Sequence, residues 1–269
     1  MNQSANTPII EVKNLGTCFS GVWVHKNLNL KIYPNRIITI IGASGCGKTT
    51  LIREVLMLQS ITEGEIYLAN QKISDYNLED PHTKIVLSKV GVMFQQGALF
   101  SSQTALENVM FPLIEYTDFS YNLIKELAQI KLNLTGLPLE AFNKYPKQMS
   151  PGMLKRVALA RTLALDPKVV FLDEPTAGLD PNSANDFDLL ISNLQKQLGL
   201  TIIMITHDLD SIWNISHEVV YLGEKKVLFH DSVKNAANQT EIPGLYEYFN
   251  GTRGKISKNF YLNRNGAPE

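Results

Sequence analysis

At 269 residues, 44% of them hydrophobic, the chain is long enough for one large or two small domains and apolar enough for a real core. Its formal net charge of −1 gives no global argument for a nucleic-acid partner. Cys18 and Cys46 form no metal or redox spacing, as expected of a chain from a reducing cytosol. The stretch Met1 to Asn6 lacks the basic and apolar regions of a secretory signal, and no apolar run approaches the ~20 residues that span a bilayer. Any transmembrane pathway is therefore expected to come from other chains.

Ile9 to Leu15 and Leu28 to Ile32 read as short strands, with Pro34-Asn35 as the turn into a buried β-branched strand, Ile37 to Ile41. Gly42-Ala43-Ser44-Gly45-Cys46-Gly47-Lys48-Thr49-Thr50 follows, and then Leu51 to Leu56, a helix with apolar positions on one face. Glu63-Gly64-Glu65 opens an alternating pattern to Ile73 that predicts a small antiparallel hairpin, and Val90 to Phe94 reads as a further strand ending in Gln95-Gln96-Gly97. From Ala98 to about Leu165 strand signals thin out. Tyr121 to Leu132 is helical in period, and a long helix opens at Met149. Lys168 to Glu174 returns to a strand that ends in two acids. A helix over Asn182 to Gln197, a strand over Thr201 to Ile205 and two closing strands, Glu218 to Leu222 and Lys226 to Phe229, complete the pattern. Alternation of this kind predicts a mostly parallel sheet covered on both faces. The basic tail from about Asn250 is either disordered or an arm that docks on a partner.

Strand, glycine-rich turn and helix, with Gly42, Gly47, Lys48 and Thr49 at the G-x-x-x-x-G-K-[ST] spacing, predict a nucleoside triphosphate site rather than a glycine turn with a chance lysine. Glycines let successive N–H groups point inward, and the helix N-terminus adds partial positive charge. Lys48 is placed to neutralise the β- and γ-phosphates, and the Thr49 hydroxyl to hold Mg²⁺. Phe19 precedes this loop as a candidate for stacking on adenine, ordinary packing being the alternative. Asp173 is a candidate for the Mg²⁺ water shell and Glu174 for polarising the attacking water. His207 ends the next strand, where it is either a γ-phosphate sensor or a polar cap, and Gln95 is placed to meet both metal and water. Ser150 fits a helix N-cap and Pro151 the first helical position. The Ser150 hydroxyl and the Gly152 N–H also suit a second phosphate, which points to two copies sharing each nucleotide.

This ordered set resembles the ATPase subunit of ATP-binding cassette (ABC) transporters over roughly residues 9–235. It comprises the Gly42–Thr49 loop, Gln95, Ser150–Gly152 of the signature helix, Asp173-Glu174, Ala177-Gly178-Leu179-Asp180 and His207. The resemblance implies a P-loop NTPase of the α/β class, with a RecA-like, mostly parallel core and an antiparallel β subdomain over 1–97 and 161–249. It implies a helical subdomain over 98–160, and a C-terminal extension over 250–269. ATP and Mg²⁺ are expected on Phe19, Gly42, Ser44, Gly45, Cys46, Gly47, Lys48, Thr49, Thr50, Gln95 and Asp173. Thr49, Gln95 and Asp173 are the expected metal ligands, and Lys48, Gln95, Glu174 and His207 the expected catalytic set. A head-to-tail homodimer would place Ser150 and Gly152 of one protomer on the other's nucleotide. The usual L-S-G-G-Q is here Met149-Ser150-Pro151-Gly152-Met153, so any phosphate contact that needs the second residue's N–H is absent.

Gly91 to Ser102, with Gly97-Ala98-Leu99-Phe100 after the glutamines, and Glu107 to Leu113 are similar to the ATPases that serve MCE-domain lipid carriers. These include the Mla (maintenance of lipid asymmetry) system of Gram-negative bacteria. The similarity implies phospholipid as cargo, with a transmembrane permease, an MCE-domain protein and a small cytoplasmic accessory subunit as partners. It also implies a peripheral position on the cytoplasmic face of the inner membrane, and a C-terminal tail that reaches the other ATPase protomer. The rival readings are the ATPase of a small-solute importer, such as one for amino acids, and a soluble ABC ATPase acting on DNA or ribosomes. The second rival lacks its usual coiled-coil insertion or second cassette.

Overall fold

The β-branched run after Pro34 forms β3 (Ile37–Gly42), buried along its whole length, as expected of a strand covered on both faces. The computed structural model describes residues 7–75, 81–95 and 97–265. The amino-terminal stretch 1–6, Gln96 and the last residues of the expected extension, 266–269, lie outside the described residues. The chain divides into two compact units, residues 1–87 with 201–269, and residues 88–200.

In the first unit β3 pairs in parallel with β8 (Thr201–Ile205) on one side and with β9 (Glu218–Gly223) on the other. Antiparallel β10 (Lys226–Ser232) follows β9. A separate antiparallel sheet has the order β2-β1-β4-β5, from β1 (Ile10–Phe19), β2 (Val22–Ile32), β4 (Glu63–Leu68) and β5 (Gln71–Lys72). β1 and β2 run longer than the sequence pattern predicts. Ser20 and Gly21 both take left-handed backbone, φ 49° and 85°, which closes a two-residue hairpin turn matched to strand twist. Register shifts between Val12 and Thr17 break the alternation that periodicity relies on. Helices α1 (Lys48–Val55), α2 (Pro81–Leu87), α7 (Leu209–Ile215), α8 (Val233–Asn238) and α9 (Pro243–Asn250) complete this unit with α10 (Thr252–Asn265). The polar tail is thus helical. It packs on its own chain, with the Tyr261 ring 5.3 Å from that of Trp213 in α7. Trp213 in turn joins Ile41, Ile212, Val219 and Phe249 in the core.

In the second unit β6 (Val90–Met93) pairs in parallel with β7 (Val169–Asp173). Between them in sequence lie α3 (Ala105–Tyr116), α4 (Tyr121–Leu134) and α5 (Pro151–Thr162), and α6 (Pro181–Leu198) follows β7. Val109, Met110, Ile124, Ala128, Leu132, Val157 and Ala160 form the helical core. Thr104 opens α3 with a full capping box through Glu107, while Ser120, Ser150 and Asp180 cap α4, α5 and α6. The helix opened by Ser150 ends at Thr162, short of the expected Leu165, and the chain then turns through a left-handed Asp166 (φ 50°) into Pro167. Among the described residues, no helix is long and apolar enough to cross a membrane.

Candidate functional site

Each unit carries its own part of the expected site. In the first, β3 runs directly into the glycine-rich loop. Gly42, Gly45 and Gly47 take φ of 152°, 78° and 102°, values that L-side chains rarely adopt. A side chain at Gly42 would also strike the Leu222 carbonyl of the neighbouring strand β9. Gly47 is the N-cap of α1 and offers no side-chain cap, so the first-turn N–H groups are left for a ligand.

Lys48 is buried, and its ammonium donates to the carbonyls of Gly42 (2.8 Å) and Ala43 (3.1 Å). These are neutral acceptors, which a phosphate oxygen outcompetes. Ser44 and Gly45 are exposed at the crown of the loop, and Cys46 is half-buried with its N–H on Ala43 O. Thr49 is exposed and Thr50 half-buried on the first turn of α1. Phe19 ends β1 with its ring partly exposed. His207 follows β8, where Asp208 caps α7 by accepting from Asp210 N. A cavity of about 360 Å³ lies there, lined by His207, Asp208 and Asp210 on one side and by Arg253, Ile256 and Ser257 of α10 on the other.

In the second unit β7 delivers Asp173, half-buried, and then Glu174 in a left-handed backbone with φ 48°. The Glu174 carbonyl accepts from Ala177 N and from Lys155 Nζ at 3.3 Å, and the same ammonium donates to Gln95 O at 2.8 Å. One buried lysine of α5 therefore ties Gln95, two residues past β6, to Glu174, the residue that follows β7. Burial pushes the Lys155 pKa down, and the charges of Glu174 and Asp173 push it back up. The sequence reading missed Lys155. The only signal was its place with Leu159 and Thr162 on one buried face of α5.

Ser150 Oγ accepts from Met153 N at 3.3 Å, Pro151 occupies the first helical position, and Gly152 has open space around it. Asp180 accepts from Asn182 and Ser183. Its bonding to Ser183 holds the carboxyl below its ordinary range. Arg161 grips the Gly97 and Ala98 carbonyls, and Asn108 ties Phe100 N and O to α3. The Phe100 ring packs on Phe111, with Phe94 and Ile114 also exposed nearby in sequence.

No cluster of three or more His, Cys, Asp or Glu side chains suited to a metal occurs among the described residues. Thr49 in the first unit offers a hydroxyl oxygen, and Gln95 and Asp173 in the second an amide and a carboxylate oxygen; oxygen donors of this kind are hard and suit Mg²⁺.

The family model described as "ABC transporter" matches residues 25–177. An intermembrane phospholipid transport system ATP-binding protein, MlaF of Haemophilus influenzae, is 36% identical over 83% of this chain and 83% of its own. The glutamine transport ATP-binding protein GlnQ of Escherichia coli is 32% identical over 81% of this chain and 89% of its own. The methionine import ATP-binding protein MetN of Vibrio cholerae is 37% identical over 80% of this chain and 62% of its own. Among solved structures, the dimeric cassette MJ0796 in a post-hydrolysis state with ADP and Pi superposes with a TM-score of 0.75 at 32% identity, over 83% of this chain and 98% of that one. The cbiO1 subunit of Clostridium perfringens gives 0.78 at 28% identity, over 97% and 98%.

Proposed function

Because this chain belongs to the ABC transporter family as its ATP-hydrolysing subunit, working on ATP with Mg²⁺, we propose that it powers phospholipid transport between two membranes through a partner permease and an MCE-domain protein. The observation that carries this reading is its likeness, over most of both chains, to the ATP-binding protein of an intermembrane phospholipid system. The segment after β6 supports it. Arg161 and Asn108 fix that backbone while Phe94, Phe100, Phe111 and Ile114 stay exposed, an apolar surface suited to a permease. The subunit then sits peripherally on the inner membrane, and the helical segment 98–160 is the subdomain that docks.

In this reading Lys48 and the loop amides hold the β- and γ-phosphates. Thr49, Gln95 and Asp173 are the residues that would hold Mg²⁺, which would supply positive charge against the negative charge developing on the phosphates. Glu174 accepts the proton of the attacking water, His207 senses the γ-phosphate and Phe19 stacks on adenine. Ser150 and Gly152 receive the γ-phosphate bound by a second protomer, so the dimer closes when both nucleotides are present. Proline at 151 removes one possible donor from that contact and leaves the Ser150 hydroxyl and the Gly152 N–H.

Tagged protein from detergent-solubilised native membranes, with mass spectrometry of the bound chains and lipids, tests this. A permease with an MCE-domain protein and phospholipid is the expected result. A permease with a solute-binding protein would leave the ATPase chemistry in place and replace the cargo. That is the second reading, favoured by the likeness to methionine and glutamine import subunits.

A further inference from the structure

Beneath the glycine-rich loop lies a buried polar triad that the chemistry above does not use. His25 of β2, Glu54 of α1 and Thr17 of β1 are 0%, 2% and 1% exposed. His25 Nε2 lies 3.2 Å from the Gly47 carbonyl. A carbonyl only accepts, so Nε2 carries the hydrogen. Thr17 Oγ1 donates to Glu54 Oε1 at 2.5 Å. The remaining oxygen, Oε2, lies 3.1 Å from His25 Nδ1 with no hydrogen bond between them.

Burying an acid and an imidazole is costly, and well-packed apolar residues commonly serve stability as well or better. Glu54 carries a further cost, since it sits in the last turn of α1, where the helix dipole disfavours a carboxylate. What the triad gains is contact with one peptide group. The Gly47 carbonyl already accepts from Leu51 N at 2.8 Å, and His25 fills its second lone pair. Gly47 has no side chain to hold it, and a Cβ there would strike His25 Nε2 and Val24. The peptide unit is planar and trans, so its C=O and the Lys48 N–H point opposite ways. Fixing the carbonyl on the protein side aims the Lys48 N–H to the other side, where the loop receives phosphate.

We propose that His25, buried beside Glu54 and Thr17, is a positioning residue for nucleotide binding, setting the Gly47–Lys48 peptide through Nε2. The requirement is for a donor at one place, which separates it from simple packing. Gln puts an amide N–H near the Nε2 position. Asn puts one near Nδ1, and Leu supplies none. Titrating the purified full chain with MgADP by calorimetry, beside thermal unfolding of each variant, reads the difference. His25→Leu and His25→Asn are expected to weaken MgADP about tenfold, the order of one buried hydrogen bond, while His25→Gln stays within about threefold of the natural chain. The proposal is overturned if all three bind alike. It is equally overturned if affinity follows the melting temperature with no regard to the donor. If the Leu variant does not fold, the Asn and Gln pair decides. MgADP binding by the unaltered chain is the control for the nucleotide site itself.

Discussion

Glu174 holds a left-handed backbone that costs a non-glycine residue about 1–2 kcal/mol, and what maintains it is visible at its carbonyl, in the bonds from Ala177 N and Lys155 Nζ. Two outcomes follow at this scale. Glu174→Gln should bind ATP normally and lose about 10²–10⁴-fold in turnover, collecting as a closed dimer on size exclusion with MgATP. Near-normal turnover would remove Glu174 from the role of base. Lys155→Met should lower kcat by between about tenfold and a hundredfold, as a misplaced group does, with MgADP affinity unchanged and partial recovery in Lys155→Arg. A parallel loss of affinity would instead make Lys155 part of the binding site. The motif residues were legible because each recognition spans a few consecutive positions. Lys155 was not, since its partner at Gln95 lies 60 positions away. His25 and Gly47, 22 apart, meet only once β2 lies under the loop.

Among elements, α3 is tied to the segment before it by polar bonds from one side chain. The Asn108 amide donates to the carbonyls of Phe100, Gln103 and Thr104 and its oxygen accepts from Phe100 N, all while fully buried. Asn108→Ala removes these four bonds. Phe100 O and Thr104 O keep their bonds from Gln103 N and from the backbone N–H of residue 108, but Phe100 N loses its Asn108 partner, at a cost of about 1–3 kcal/mol for a buried group. Chemical denaturation should show that loss, and transport-coupled ATPase should fall further than the basal rate of the isolated subunit. Equal losses in both would mean that α3 matters only for folding. Strands β9 and β10 are joined by a charged set in which His230 and Arg36 bond Glu218. The hydrogen bond from His230 is the larger cause that holds the Glu218 carboxyl below its ordinary range, and the Arg36 charge adds to it. A carboxylate depressed on folding stabilises above its unfolded pKa of about 4.3, and that contribution fades as pH falls through the lower folded value. The stability gap between the natural chain and Glu218→Gln should therefore be full near neutral pH and close on acidification below about pH 4. Strand cores were legible from β-branched runs, whereas β1 and β2 were drawn short because the Ser20-Gly21 turn and the shifts near Asn14 hide the alternation.

For the molecule as a whole, the C-terminal helix is the part that the sequence pattern left open. Its composition is polar and its apolar face weak, yet it packs along α7 and α9, with Gly254 close against the Phe249 carbonyl and Tyr261 on Trp213. The chain has two tryptophans, Trp23 and Trp213, and Trp213 is 6% exposed. Removing residues 252–269 should uncover it and move the tryptophan emission to longer wavelength, with MgADP affinity retained. An unchanged spectrum would mean that α10 does not cover α7 in solution.

The sequence by itself determined where the phosphate loop, the acidic strand end and the signature cap fall along the chain and the family they belong to, because each is a short spacing within one strand–turn–helix unit. Only the tertiary structure decided how those groups are held. The buried lysine joining Gln95 to Glu174, the imidazole under Gly47 and the tail laid on α7 are pairings across 60, 22 and 48 positions. Such contacts leave no period in the sequence, since they come from chain reversal and packing rather than from local conformation.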